Sequence, residues 1–253
     1  MKALLKYEFR KTWGAKLMVL GIAAVAEIAF LIGIALGENN QTGMRMIGVS
    51  APLLMLIAIF GLIFIGIQSV VILHRDMNTK QGYMLYMTPR SSYQVLGAKF
   101  LENGLSLVLA GAIFFLLGLL DVTLLFSRVG QLDQLWKMGK QILETLNTEI
   151  ELNTQGILTL SVSMLVSWLA TVAIAYLADI VSSALLNGKK FNGIVTFLLF
   201  ILLSAVMSWL QNLCMGRGLG MNTLLLVQAG IAAVYSVVMY FCSAYIMDHY
   251  LSV

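Results

Sequence analysis

Leu53–Lys99 reads LLMLIAIFGLIFIGIQSVVILHRDMNTKQGYMLYMTPRSSYQVLGAK. Two textures meet in it. From Leu53 to Leu73 the chain is apolar without a single charge, and such a run is read as a membrane-crossing helix. From Asp76 to Lys99 it turns polar, with Gly82 and Pro89 as breaks and an apolar centre of Tyr83, Met84, Leu85, Tyr86 and Met87. Beyond Lys99 the apolar texture resumes. A polar segment with an apolar heart, set between two lipid-compatible runs, reads as a surface that another protein holds.

The same texture extends over the whole chain. Of its 253 residues 60% are hydrophobic and 11% charged, with a mean hydropathy of +0.90. A soluble domain carries about 25% charged residues, so there is too little charge for a water-facing surface. In lipid every backbone polar group must be satisfied within its own segment, which selects helices for such runs. The sequence predicts an all-α integral membrane protein with six spans, near Leu17–Gly37, Leu53–Leu73, Leu101–Phe126, Ile157–Leu186, Ile194–Leu213 and Leu224–Met247. It reads as a single transmembrane domain over residues 1–253, and no cleavable signal peptide is expected ahead of the first run.

Orientation follows from the basic residues. With the N-terminus inside, Lys2, Lys6, Arg10, Lys11, Lys16, Arg75, Lys80, Arg90, Lys99, Lys189 and Lys190 lie on the cytoplasmic side. Arg45, Arg128, Lys137, Lys140 and Arg217 lie outside. The bias predicts both termini in the cytoplasm and accounts for most of the net charge of +4. No soluble basic face with aromatic residues exists to suit a nucleic acid. Cys214 and Cys242 fall in an outer loop and inside the last span, a placement that does not favour pairing.

Three shorter segments flank the spans. Residues 1–16 carry Leu5, Phe9 and Trp13 at intervals of four, opposite Lys6, Arg10 and Lys11. That pattern predicts an amphipathic elbow helix in the inner-leaflet interface, touching membrane lipid. Residues 74–100 form the cytoplasmic segment already quoted, in which a short helix across the mouth of the bundle accounts for the apolar centre. Ser91 and Gln94 have capping-box spacing, with Pro89 just upstream, and mark the start of the third helix. Residues 127–156 hold a second amphipathic stretch on the outer side, with Leu132, Leu135, Trp136, Ile142, Leu143, Leu146 and Ile150 at helical spacing. It is too charged to span, and reads either as a connector hugging the membrane or as a lid.

The chemistry of this chain is sparse. There is no G-x-x-x-x-G-K-[ST] phosphate loop, and the two histidines, His74 and His249, are not clustered with other metal ligands. Gly216–Gly220 is glycine-rich but follows a membrane helix rather than a strand, so it is a turn and not a dinucleotide site. No nucleophile–base set suggests an enzyme. Within the spans, Glu27, Gln68 and Asp179 are polar. Such groups are costly at bilayer depth and face the bundle interior or a water-filled cavity. Each is a candidate for a substrate or proton path, and equally for an interhelical hydrogen bond, with Lys189 and Lys190 able to reach the leaflet of Asp179. Ser163, Ser167 and Thr171, and Gly33-x-x-x-Gly37, permit close helix approach, within the subunit or between subunits.

With six spans, both termini inside, a basic start MKALLKYEFRKTW and an inner loop TKQGYMLYMTPRSSYQVLGAK, the chain resembles the permease subunit of bacterial type-2 ABC exporters. The resemblance rests on Asp76, Gly82, Tyr83, Leu85, Tyr86, Thr88, Pro89, Gly97, Ala98 and Lys99, and on Met1–Trp13. The outer amphipathic stretch departs from the shortest members of that family. The resemblance implies a non-catalytic membrane subunit of a bacterial inner membrane, dimeric with a second copy or homologue. Two separate ATPase subunits would bind ATP and Mg, and this chain would hold no cofactor. It also implies a coupling helix in which Asp76, Lys80, Gly82, Tyr83, Leu85, Tyr86, Met87, Thr88, Pro89 and Arg90 meet the ATPase, and a hydrophobic or amphipathic cargo such as a drug, antimicrobial peptide or lipid. Two other classes fit the composition. One is an ion-coupled carrier using Glu27 or Asp179, and the other a non-transporting anchor or sensor that holds a partner through the same loop.

Overall fold

In the computed structural model, which describes residues 2–37, 40–78, 91–128, 154–186, 191–214 and 220–250 together with Lys137 and Gln141, every apolar run forms a helix. In chain order these are α1 (Lys2–Leu36), α2 (Gln41–Asn78), α3 (Ser92–Arg128), α4 (Thr154–Leu186), α5 (Asn192–Asn212) and α6 (Met221–Tyr250). All six are long and apolar enough to cross a bilayer, and no strand occurs among the described residues.

The distribution of burial identifies the solvent. Large apolar side chains point outward along the helices, among them Val25, Met55, Phe60, Phe115, Phe197 and Val234, each more than 60% exposed. Buried positions hold Ser50, Ser69, Asp76, Lys99, Asn103, Asp179 and Ser182. In water that arrangement would be inverted, since exposed apolar patches of this extent are not tolerated. It is the arrangement expected of a multi-pass membrane protein, in which lipid solvates the apolar faces and polar groups find partners inside.

The helices run past the apolar runs that announced them. α2 starts twelve residues before Leu53, and α3 nine residues before Leu101. Hydropathy marks the hydrocarbon boundary, whereas backbone hydrogen bonding continues through polar turns until a breaker intervenes. The expected separate elbow is corrected for the same reason: residues 2–16 are the first turns of α1, with no break before the first span. One buried stripe, Glu8, Thr12, Val19, Ala23, Ala26, Phe30 and Gly33, runs through both parts at intervals of three, four and seven. Leu5 and Phe9 are half-buried and Trp13 is exposed.

Two chain signals shape the helix ends. Gly37 takes φ +80, the left-handed conformation that closes α1 and suits glycine. The Asn40 carboxamide oxygen then accepts from the Thr42 N–H at 3.1 Å, capping α2. α3 starts at Ser92, as the Ser91–Gln94 spacing predicts, with Gln94 and Val95 N–H donating to the Ser91 carbonyl at 2.9 and 3.2 Å. These are backbone bonds, and the side-chain capping box does not close, because the buried Gln94 Oε1 has no partner.

The chain divides into two compact units. The first comprises Met1–Leu5, Ser69–Gly104 and Thr145–Val253, and the second Lys6–Gln68 and Leu105–Glu144. In the first, α4 lies against α6 and α5. Leu73, Leu96, Tyr176, Ile180 and Met247, each 1% exposed or less, knit the end of α2 and the start of α3 onto α4 and α6. A second cluster of Ala170, Ala173, Ile174, Ala232 and Met239 continues along α4 and α6, with Met207 contributed by α5. In the second unit Val19, Ile65 and Ala110 join α1, α2 and α3. Gly33 and Gly43 let α1 and α2 approach closely, since a Cβ on Gly43 would lie 2.9 Å from the Gly37 carbonyl oxygen. Gly33 therefore packs helices within the subunit, while Gly37 ends one.

Candidate functional site

Asp76 ends α2 and Lys99 sits two turns into α3. Lys99 Nζ donates to Asp76 Oδ2 at 2.8 Å, and the two side chains are 2% and 4% exposed. The pair closes the base of the segment that the sequence singled out. Two ions this far from solvent each carry a desolvation cost of several kcal/mol, offset only by close geometry and further polar neighbours. Asp76, Gly97, Ala98 and Lys99 are thus placed. Lys80, Gly82, Tyr83, Leu85, Tyr86, Met87, Thr88, Pro89 and Arg90 lie outside the described residues, as does the outer amphipathic stretch apart from Lys137 and Gln141.

Around that pair, the first unit concentrates its polar contacts at the end where α2 and α4 finish and α3 begins. His74 Nδ1 meets Asp179 Oδ1 at 2.6 Å, joining α2 to α4. Asp179 is 1% exposed on its side chain and His74 is 42% exposed. The carboxylate partner of this helix is therefore a histidine on α2; Lys189 and Lys190 lie outside the described residues. The hydroxyls of Ser69 and Tyr176 are hydrogen-bonded one turn deeper. Trp168 Nε1 donates to Asn103 Oδ1 at 3.2 Å, and the Tyr240 hydroxyl donates to the Tyr93 carbonyl at 2.6 Å. Asp248 Oδ1 lies 3.4 Å from the Ser92 N–H, placing a carboxylate at the N-terminus of α3, where the helix dipole favours it. Ser182 donates to the Asn192 carbonyl at 2.8 Å, and Asn192 Nδ2 donates to Ser183 at 3.1 Å, tying α4 to α5.

The consequence is mechanical. In lipid, helix association gains little from apolar burial and depends on packing and interhelical hydrogen bonds, worth about 0.6–2 kcal/mol each. Here α2 and α3 are each fixed to α4 or α6 by such bonds at the very turns that flank residues 79–90. These bonds join four helices, α2, α3, α4 and α6, on either side of residues 79–90.

Glu27 and Gln68 belong to the second unit and Asp179 to the first. Gln68 Oε1 is buried without a hydrogen-bond partner. Glu27 has a companion the sequence reading missed, Asp121 of α3, which lines the same cavity. The available signal was a carboxylate inside an apolar run, which applies to Asp121 as it does to Glu27. Both line a half-open cavity of about 530 Å³ between α1, α2 and α3. Ser163, Ser167 and Thr171 line a different one, with Trp168 and Gln228, between α4 and α6. Among the described residues no three His, Cys, Asp or Glu side chains gather as a metal site.

Comparison with family models, curated proteins and solved structures gives no match to this chain.

Proposed function

We propose that this chain is the membrane-spanning permease subunit of an ATP-driven exporter, working as a dimer with a second copy or homologue. In this reading the segment between α2 and α3 is a cytoplasmic coupling element that docks a separate ATPase, with Tyr83, Leu85, Tyr86 and Met87 filling a groove and Lys80 and Arg90 at its rim. Both termini are cytoplasmic, in a bacterial inner membrane, and the first turns of α1 lie at the inner interface with Leu5, Phe9 and Trp13 toward lipid. ATP and Mg bind the partner, and closure of the ATPases shifts the balance between two helix arrangements.

The observation that carries the reading is the buried Asp76–Lys99 pair at the base of the segment. A loop that only connects two spans needs no buried ion pair at its root. A loop that transmits force does, because a loose root would dissipate the movement before it reached α4 and α6.

Affinity purification from the native host tests this. A phosphate-loop ATPase co-purifies with the wild-type chain and is lost on Tyr83→Asp or Leu85→Asp, while the chain still inserts and purifies. Recovery of the chain alone, with transport driven by a proton gradient, would instead favour an ion-coupled carrier. The Glu27–Asp121 carboxyl pair is the observation on that side. Glu27→Gln separates the two, since a carrier that moves protons on Glu27 loses its pH dependence.

A further inference from the structure

The second unit holds two acidic side chains where acidic side chains are expensive. Glu27 lies nine residues before the end of α1, and Asp121 seven before the end of α3. At 1.5 Å per residue these are depths of about 14 and about 10 Å from the helix ends. Both carboxyls lie within the apolar runs of their helices and line one cavity. Among the described residues neither meets a cation: Glu27 Oε2 and Asp121 Oδ1 are buried and have no hydrogen-bond partner. Two ionised carboxyls lining one apolar cavity repel in a low dielectric, a cost that a proton or a cation between them removes. A packing role would call for a hydrogen bond between the helices, and those two oxygens make none. What faces them instead is open volume.

That volume is about 530 Å³, within the range of drug-sized pockets. Its wall is apolar apart from the two carboxyls, with Phe30, Met55 and Phe114 among the lining side chains. Phenylalanine faces carry negative potential and attract a cation within about 6 Å, and methionine adapts to varied shapes. Pro52 lines the same space. It cannot donate to the Gly48 carbonyl, so α2 is locally less constrained beside the cavity. Acid at one point and aromatic and aliphatic walls elsewhere are the complement of one ligand class, a monocation wrapped in hydrocarbon.

We propose that this cavity binds lipophilic monocations, with the charge held between Glu27 and Asp121 and the hydrocarbon against Phe30, Met55 and Phe114. If such a cation is cargo, the proposal names the cargo class of the exporter reading and rests on that reading; the binding itself does not. A cation placed between the carboxyls removes their mutual repulsion and gains from both. A neutral molecule of the same shape gains neither, and an anion is repelled.

Two probes of the same shape and opposite charge decide the matter. Radiolabelled tetraphenylphosphonium and tetraphenylborate are equilibrated with the full-length chain in nanodiscs of neutral phosphatidylcholine, and binding to empty nanodiscs is subtracted. Tetraphenylphosphonium is expected to bind saturably and at least tenfold more tightly than tetraphenylborate. E27Q and D121N each weaken it several-fold, and together they abolish the charge preference. Gly118→Leu, at a cavity position where a Cβ meets nothing within 4 Å, leaves the carboxyls in place but fills the space, and lowers binding as well. Equal binding of the two probes by the wild-type chain overturns the proposal without any variant being needed. So does full affinity in the folded E27Q/D121N double variant. No ATPase is present in this assay, so failure here leaves the exporter reading standing, and failure of ATPase co-purification leaves the cavity standing.

Discussion

Asp76→Asn is the most informative single substitution in this chain. It preserves the shape of the side chain and removes one charge from a pair 2.8 Å apart, with partners 4% and 2% exposed. The Coulomb attraction at that distance is about 6 kcal/mol at an effective dielectric of about 20. The gross figure is not the loss, because the desolvation of both ions opposes it. Removing one partner of a buried pair costs about 3–5 kcal/mol, since the other charge stays desolvated. For a chain of this size about 1 kcal/mol corresponds to roughly 2–4 °C in Tm, so the expected fall is about 6–20 °C at a fixed scan rate. Lys99→Met should cost a similar amount. The double variant Asp76→Leu with Lys99→Met should recover most of the loss, because a buried pair exchanged for apolar groups of similar volume is often neutral. The assay is a thermal-unfolding series on the wild type, Asp76→Leu, Lys99→Met and their double variant, read as a double-mutant cycle, with Asp76→Asn melted alongside. A coupling near zero would refute the argument that the pair anchors the loop. The double variant also separates stability from function: with folding restored, a loop that relied on the ionic link for force transmission still couples poorly.

Three further outcomes follow from particular contacts. Gly43→Ala should destabilise by about 1–3 kcal/mol, because its Cβ would press on the Gly37 and Gly33 carbonyls at 2.9 and 3.0 Å; Gly48→Ala, in open space on the same helix, should be neutral or gain up to about 1 kcal/mol, and thermal melts of the two compare them directly. His74→Ala removes the 2.6 Å contact to Asp179 and should cost about 1.5–3 kcal/mol as a hydrogen bond to a charged group, with His74→Gln losing less in the same melt. With the N-terminus cytoplasmic, an impermeant maleimide added to intact cells labels Cys214, at the end of α5, and spares a cysteine placed at Phe191, which is 67% exposed at the opposite end of that helix; the reverse pattern inverts the topology.

Much of the fold was legible because one physical constraint dominates it. Uninterrupted apolar runs in a charge-poor chain leave helices as the solution, and all six were found where the runs lie. The ends were less legible. Hydropathy reports where lipid stops, while α1 and α2 continue through Lys16 and Arg45, residues that are compatible with a helix but not with hydrocarbon. The elbow was misread as separate for that reason. Ser91 gave the true start of α3 because capping is local chemistry, yet Gln94 failed to close the box, since side-chain closure depends on tertiary surroundings. Pairings across helices were the least legible. Asp76 and Lys99 were both singled out, but nothing in a 23-residue separation says that they touch. His74 reads in the sequence only as a histidine apart from other metal ligands, and its contact with Asp179 needs the three-dimensional approach of α2 and α4. Asp121 was available to the same reasoning that found Glu27, and the carboxyl pair exists only once α1 and α3 are side by side.

The central claim is that residues 79–90 dock an ATPase. A photo-crosslinking amino acid introduced at Tyr83 or Tyr86 and activated in intact cells of the native host reads that contact directly. The expected product is a covalent adduct with a phosphate-loop ATPase, lost when Leu85→Asp is added. Adducts with lipid alone, or with no protein carrying a nucleotide site, would contradict it.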